Sequence, residues 1–399
     1  MREGWKRVKL GEIITLRRGL TYKKDDEVGF SEKIVLRSNN VNLLTHLFDY
    51  DELKYLRSDF DIPADKYIKQ GELLMCMSNG SKAHLGKVAL YDGEDDIYAF
   101  GGFMSAISHN DLIASKFLYY ALITSRFKDY INTLSAGANI NNLKTKDIDA
   151  YSIELPSLEE QHRIVELLDA EFAKIDAIKA NAEKQLQWAK DLLNKSISEL
   201  TSFQLGWNKT KLKELCSIKG EYGLNESATT FNGIRYLRIT DITADGELND
   251  EKVSAENKEG KSQKKLEPGD ILFARTGATV GKTLVYKEEF GDCNFAGYLI
   301  RYRTNPSIIL PQYLFYYTHS SRYYEWVIEN QAAAAQPNIS AQKYNELEID
   351  FPKDIEAQQT IVEKLDTLSE KVKQLQLNYE KTIALCNDLK QSLLKDIFG

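Results

Sequence analysis

The stretch Arg275-Thr276-Gly277-Ala278-Thr279-Val280-Gly281-Lys282-Thr283 comes nearest to carrying chemistry by residue type. Its glycines, lysine and hydroxyl could cradle a nucleotide phosphate, but only three residues separate the two glycines and the cradle needs four. The matching stretch in the first half, Gly80-Ser81-Lys82-Ala83-His84-Leu85-Gly86-Lys87-Val88, has five and lacks the hydroxyl. A phosphate nest depends on backbone N–H groups converging at fixed spacing, so this variation argues against one. The sequence reads instead as strand, glycine-permitted turn and strand. The turn would present Arg275, Thr276 and Lys282, side chains suited to base edges and phosphates. Ser78, Asn79, Lys82, His84 and Lys87 would do the same in the first half. Two amide-rich loops add Asn139, Asn141 and Lys144, and Gln336, Asn338 and Ser340. Such side chains can bond adenine bidentately, or simply form turns and helix caps.

Catalytic signatures are missing from the sequence. No Asp/Asn-Pro-Pro-aromatic tetrapeptide occurs, and Asn305-Pro306-Ser307 stops short of one. No G-x-G follows a strand as a cofactor loop, and no Ser-His-Asp or Cys-His set can be assembled by spacing. The four cysteines lie far apart without a C-x-x-C, and no two histidines pair at helical spacing. Neither a disulfide framework nor a metal site is expected, and the thiols read as buried and free.

The elements that must position these residues occur twice. Trp5 to Ile13 reads against Trp207 to Leu215, and Gly71-Glu72-Leu73-Leu74 against Gly269-Asp270-Ile271-Leu272. Val35 to Val41 reads against Tyr236 to Ile242, which brings Arg37, Asn39 and Asn40 into register with Arg238 and Thr240 as further candidate contacts. Asn139-Ile140 aligns with Asn338-Ile339. QHRIVELLD at 161–169 matches QQTIVEKLD at 358–366 in six of nine positions. With Leu155-Pro156 against Phe351-Pro352 these make six matches in constant order, about 200 residues apart, which means domain duplication rather than a solenoid repeat.

Each half ends in a long helical pattern. In the first, Ile164, Leu168, Ile175, Ile178, Leu186 and Leu193 lie on a 3.6-residue period, opened by Pro156 and a Ser157-x-x-Glu160 capping box. In the second, Ile361, Leu365, Leu368, Val372, Leu375, Leu389 and Leu393 repeat the stripe. Each helix would be about 65 Å long. A stripe of that length must be buried, and the simplest partner is the other helix, antiparallel. The expected organisation is a mixed α+β protein: globular domains at 1–155 and 203–351, long helices at 156–202 and 352–399, and an internal pseudo-two-fold.

Composition bounds the rest. The chain has 399 residues with 43% hydrophobic and 11% aromatic content, which suits a globular protein of two or three domains. No apolar run is long enough for a membrane span, and the first residues lack the apolar core of a secretory signal. The net charge is −7, and the two helical stretches hold more than half of that deficit. Nearly neutral globular parts do not forbid a basic face, though they do not show one.

With its two diverged domains, each followed by a long helix opened by Leu-Pro-x-Leu-Glu-Glu-Gln-x-x-Ile-Val or its copy, the chain resembles the specificity subunits of type I restriction-modification enzymes. The resemblance covers essentially the whole chain; the second copy, Pro352-Lys353-Asp354-Ile355-Glu356-Ala357-Gln358, departs from the motif's wording. It implies two target-recognition domains, each reading one half of a bipartite, gapped DNA site. It implies helices that set the gap and dock two methyltransferase subunits, with two motor-nuclease subunits completing the complex. S-adenosylmethionine, ATP and Mg would then belong to those partner subunits, this chain would be non-catalytic, and its setting would be the cytoplasm of a bacterium or archaeon. A single-chain DNA-modifying enzyme with unrecognised motifs, or a protein-binding scaffold without a DNA role, remain the other readings.

Overall fold

Pro156 and Pro352 each close a strand and stand just ahead of a helix, because proline has no N–H to give to a ladder and the next residues can cap. A computed structural model describes residues 4–135, 142–256, 264–331 and 337–399. The long helices run Leu158–Leu200 and Ile355–Phe398. The Ser157 hydroxyl accepts the Glu160 N–H at 3.4 Å in the first, as the capping box requires. In the second, Asp354 takes over and accepts the Glu356 N–H at 3.1 Å.

The chain forms two compact units, Met1–Asn181 with Lys381–Gly399, and Ala182–Glu380. Each unit thus contains one globular part, the beginning of one long helix and the end of the other.

In the first unit the strand Lys6–Lys9 pairs antiparallel with Ser152–Leu155. A four-stranded antiparallel sheet runs in the order Ile14–Arg18, Met104–His109, Leu73–Cys76, Val88–Leu90. A second sheet orders Glu27–Val28, Lys54–Leu56, Lys33–Leu36, Tyr98–Phe100, the last pair parallel. The second unit repeats the frame. Asn208–Lys211 pairs with Glu348–Phe351, and the main sheet runs Cys216–Tyr222, Leu299–Thr304, Asp270–Ala274, Thr283–Val285. Its parallel pair is Arg235–Leu237 with Cys293–Phe295. Helices Ser115–Leu122 and Pro311–Tyr317 cover the main sheets and carry the aromatic core.

Within each unit, one buried amide fastens the start of the long helix. Gln161 is fully buried; its Nε2 donates to the carbonyls of Leu112 (2.9 Å) and Pro156 (3.0 Å), and its Oε1 accepts the Ala114 N–H at 2.8 Å. Gln358 repeats all three bonds, to Ile308, Pro352 and Leu310. Two turns further on, Asp169 accepts the Tyr120 hydroxyl and Asp366 the Tyr316 hydroxyl. Burial and the adjoining carboxylate push both phenols far above their ordinary range, so they stay donors.

The helix stripes are buried much as the period predicts. Inside the first unit the two helices run antiparallel: Ile164 and Leu168 share a core with Leu394 and Phe398, while Lys179 reaches Asn387 and Asp176 reaches Lys390 at 2.6 Å each. In the second unit Leu193 and Ile197 join Ile361 and Leu365. Ile175 and Leu186 are buried; Leu368, Val372, Leu375 and Leu393 are half-buried. Two stripe assignments are corrected. Ile178 is 53% and Leu389 48% exposed. Each lies three residues past a buried position, Ile175 and Cys386, and three residues of helix leave a side chain about 60° off the seam.

The seam and the glutamine lock give a pair of expected outcomes. Gln161→Leu orphans one buried N–H and two carbonyls at roughly 1–3 kcal/mol apiece, so it should cost on the order of 3 kcal/mol or more. Ile178→Ala, on the exposed flank, should stay within about 0.5 kcal/mol of the parent. Denaturant titration of the full chain separates them, and equal stabilities would contradict the lock.

Candidate nucleic-acid interface

The glycine-bearing turns are structural. Gly86 and Gly281 adopt φ of +72° and +89°. A Cβ on either would sit 2.8 Å from Ile131 or 2.9 Å from Val327, so the turn is pressed onto a helix. The lysine next in the chain turns inward. Lys87 is 4% exposed and donates to the Val41 carbonyl at 2.7 Å; Lys282 donates to the matching carbonyl of Ile242 at 3.2 Å. Both are corrections to the expected DNA contacts: each ties the turn to a neighbouring loop. Asn40 is a third. It is buried, accepts the Arg37 N–H at 2.9 Å and donates to the carbonyls of Asp49 and Glu52. Thr276, 7% exposed, is a fourth.

Other expected contacts are at the surface or on its edge. Lys82, Thr240 and Lys144 are exposed, and Ser340 caps the helix Ala341–Asn345 through the Lys343 N–H. His84 is half-buried, and burial with Lys87 and Lys128 nearby lowers its pKa. Asn139, Asn141 and Gln336 lie outside the described residues. The alignment of Asn139 with Asn338 is also corrected. Ser78 bridges to Asn142 where Thr276 bridges to Asn338, so the register is shifted by three residues and Asn142 is the counterpart.

In the first unit, Arg37, Asn39, Ser78 and Asn79 come together on one cleft of about 770 Å³. Sequence reading missed other residues of its wall, among them Arg18, Thr21, Tyr22, Lys24, Lys54 and Phe103. Arg18, Lys24, Arg37 and Lys54 face a single carboxylate there, Glu27, which Lys54 neutralises at 2.7 Å. A unit of nearly balanced charge therefore has a basic cleft. Burial, with Glu27 adding, raises the Tyr22 pKa, so its phenol remains a hydroxyl. Beside the cleft a glycine is required: a Cβ on Gly19 would meet the carbonyl oxygen of Gly101, a lining residue, at 2.2 Å, and Gly223 stands in the same relation to Ala296. Phe103, 67% exposed, projects at the rim.

The second unit carries the same frame with other side chains. Tyr298, 60% exposed, stands where Phe103 does. Arg275 lies over the Tyr222 ring at 4.8 Å and its Nε donates to Asn338 Oδ1 at 3.2 Å, which leaves both Nη groups without a bond to the described residues. Arg238 is locked: its Nη2 is 2.7 Å from Asp241 Oδ1 and 3.0 Å from Glu251 Oε1. Among the described residues no cluster of His, Cys, Asp and Glu could hold a metal ion, and no helix is long and apolar enough to cross a membrane. All four cysteines are free and buried.

This duplicated frame defines a class of protein in which one α+β domain with its long helix occurs twice. The sequence profile of the family described as the type I restriction modification DNA specificity domain matches residues 2–187 and 204–382, and the chain belongs to that family. The StySPI specificity subunit of Salmonella potsdam is 27% identical over 99% of this chain and 89% of its own length. The EcoKI specificity subunit of Escherichia coli strain K12 is 28% identical with the same coverage. Two solved structures share the fold. A chain from a structure described as the complex assembly and conformational transition of the type I R-M system gives a TM-score of 0.73 at 20% identity, over 99% of this chain and 97% of that one. The HsdS subunit of Thermoanaerobacter tengcongensis gives 0.54 at 19% identity, over 100% and 97%.

Structural and interface lysines should separate experimentally. Lys87→Met strands the buried Val41 carbonyl, so the melting point should fall while the salt dependence of DNA binding stays unchanged. Lys24→Ala at the cleft should do the opposite: the same melting point, with a log–log salt slope shallower by about 1. Identical behaviour of the two variants would contradict this division between a buried tie and a cleft cation.

Proposed function

We propose that this chain supplies the DNA sequence specificity of a type I restriction-modification complex. Each unit reads one half of a bipartite, gapped target. The long helices set the gap and dock two methyltransferase subunits, and two motor-nuclease subunits complete the assembly. S-adenosylmethionine, ATP and Mg bind those partners, and no catalytic group comes from this chain. The observation that carries the reading is the basic cleft of the first unit, set in a frame that the second unit repeats. A polyanion is drawn to such a cleft through phosphate neutralisation, and the amide and guanidinium groups along its wall suit base edges.

The test is selection of bound sequences from a randomised duplex pool by the full chain assembled with methyltransferase subunits. A two-part motif with a fixed gap is expected. Exchanging residues 1–155 for those of a relative should change one half of the motif and leave the gap alone. Inserting four residues after Ala180 lengthens the helix by about 6 Å and rotates its downstream part by about 40°. That should alter the gap or abolish binding while the half-site bases persist. A gapless motif, or a domain exchange that alters both halves, defeats the reading. The purified chain by itself should transfer no methyl group from S-adenosylmethionine to DNA, and robust transfer would show a catalytic site of its own.

A further inference from the structure

Arg37 and Arg238 hold matching positions in the two units, but Arg238 pairs with two carboxylates, Asp241 and Glu251, where Arg37 pairs with none among the described residues. In the second unit Asp241, 1% exposed, accepts the Arg238 backbone N–H at 2.8 Å and pairs with its guanidinium. In the first unit Asn40 stands in that place and makes the same backbone bond to Arg37, at 2.9 Å, but offers no carboxylate. The Arg37 guanidinium forms no hydrogen bond or ion pair with the described residues, and its Nε is buried without a partner. A recessed cation that lacks acceptors is unfavourable unless a ligand supplies them. Arg37 lines the 770 Å³ cleft beside Asn39 and Ser78.

We propose that Arg37 is a specificity-determining residue of the first unit, that it reads a guanine through O6 and N7, and that the second unit cannot use the matching arginine because Asp241 holds it. The proposal rests on the DNA-reading role above. The acceptor pair a guanidinium fork requires exists on guanine and on phosphate alike. The position favours the base: the exposed cations Arg18 and Lys24 are placed for the backbone, whereas Arg37 is half-buried among amide and hydroxyl groups.

The second unit also shows how to silence Arg37 without removing it. There Arg235 donates to the carbonyls of Asn249 and Glu251, the task that the Asn40 amide performs towards Asp49 and Glu52. Ile34 stands at the position of Arg235. Ile34→Arg with Asn40→Asp therefore transplants the Asp241 part of the lock.

The experiment is the same pool selection with the full chain in its methyltransferase complex, each variant first checked by melting. The parent should enrich guanine at a position of one half-site where Arg37→Ala loses the preference roughly 10- to 100-fold, with the other half-site and gap intact. The Ile34→Arg/Asn40→Asp pair should lose the same guanine while Arg37 remains, an effect that a merely structural arginine would not produce. Arg37→Lys, which keeps the charge but not the fork, should weaken that guanine more than any other position. Arg238→Ala should change no base. An unchanged motif in Arg37→Ala overturns the proposal. So does a uniform loss of affinity with a shallower salt slope, which would make Arg37 a phosphate contact. If Arg37→Ala fails to melt cooperatively, the locked pair and Arg37→Lys decide by the same criterion. A parent that enriches no motif at all would instead remove the DNA-reading role on which the proposal stands.

Discussion

The side-chain amide of Gln161, and its copy in Gln358, is the constraint on which the architecture hangs. Each amide is wholly enclosed and satisfies three backbone groups that water cannot reach. An apolar residue of the same size would leave those groups unpaired, and a charged one would be buried without a counter-ion. The start of each long helix is thereby fixed to its own globular part, and the Asp169 and Asp366 bonds to tyrosine hold it again further along. Once the helix start is fixed, so is the direction in which its apolar stripe faces.

That stripe explains why the compact units cut through the helices. The end of the second helix docks on the first unit, where Arg126 donates to the Phe398 carbonyl, Gln391 accepts the Ser125 N–H, and Phe117 and Phe398 rings lie 5.0 Å apart. In the second unit the end of the first helix is held in the same manner, with Ser198 accepting the Ser321 N–H at 3.1 Å. The first core is completed by a helix end delivered from the other end of the chain, and the second by the end of the helix that directly precedes it.

The two units also show how one frame can carry different surfaces. The buried bonds are preserved: Lys87 with Lys282, Gly19 with Gly223, and the backbone contact of Asn40 with that of Asp241. What varies is the charge and shape at the rim. Arg37 has no hydrogen bond or ion pair among the described residues where Arg238 is paired, and Phe103 stands where Tyr298 does. Single exchanges such as Asn40 for Asp241 alter which cations remain available while leaving the backbone geometry in place. That property suits a surface whose contacts must differ between otherwise equal domains.

The sequence by itself determined the duplication, the mixed α+β class, both long helices and the family. These are local or periodic signals: a 3.6-residue stripe, a capping serine, prolines at strand ends and a motif written twice. It also marked Arg37, Asn39, Ser78 and Asn79, which share the cleft. It could not separate them from Asn40, Lys87 and Lys282, because a polar side chain at a turn reads alike whether it faces solvent or a carbonyl of another loop. Nor could it find Arg18, Lys24, Lys54 and Phe103, whose common wall exists only after two sheets pack. The exposed flank at Ile178 and Leu389 was hidden for a related reason: a stripe gives the mean direction of burial, while the partner helix decides how wide the seam is. The net charge concealed the basic cleft most completely, since a sum over the chain carries no position, and only tertiary packing decides which charges become neighbours.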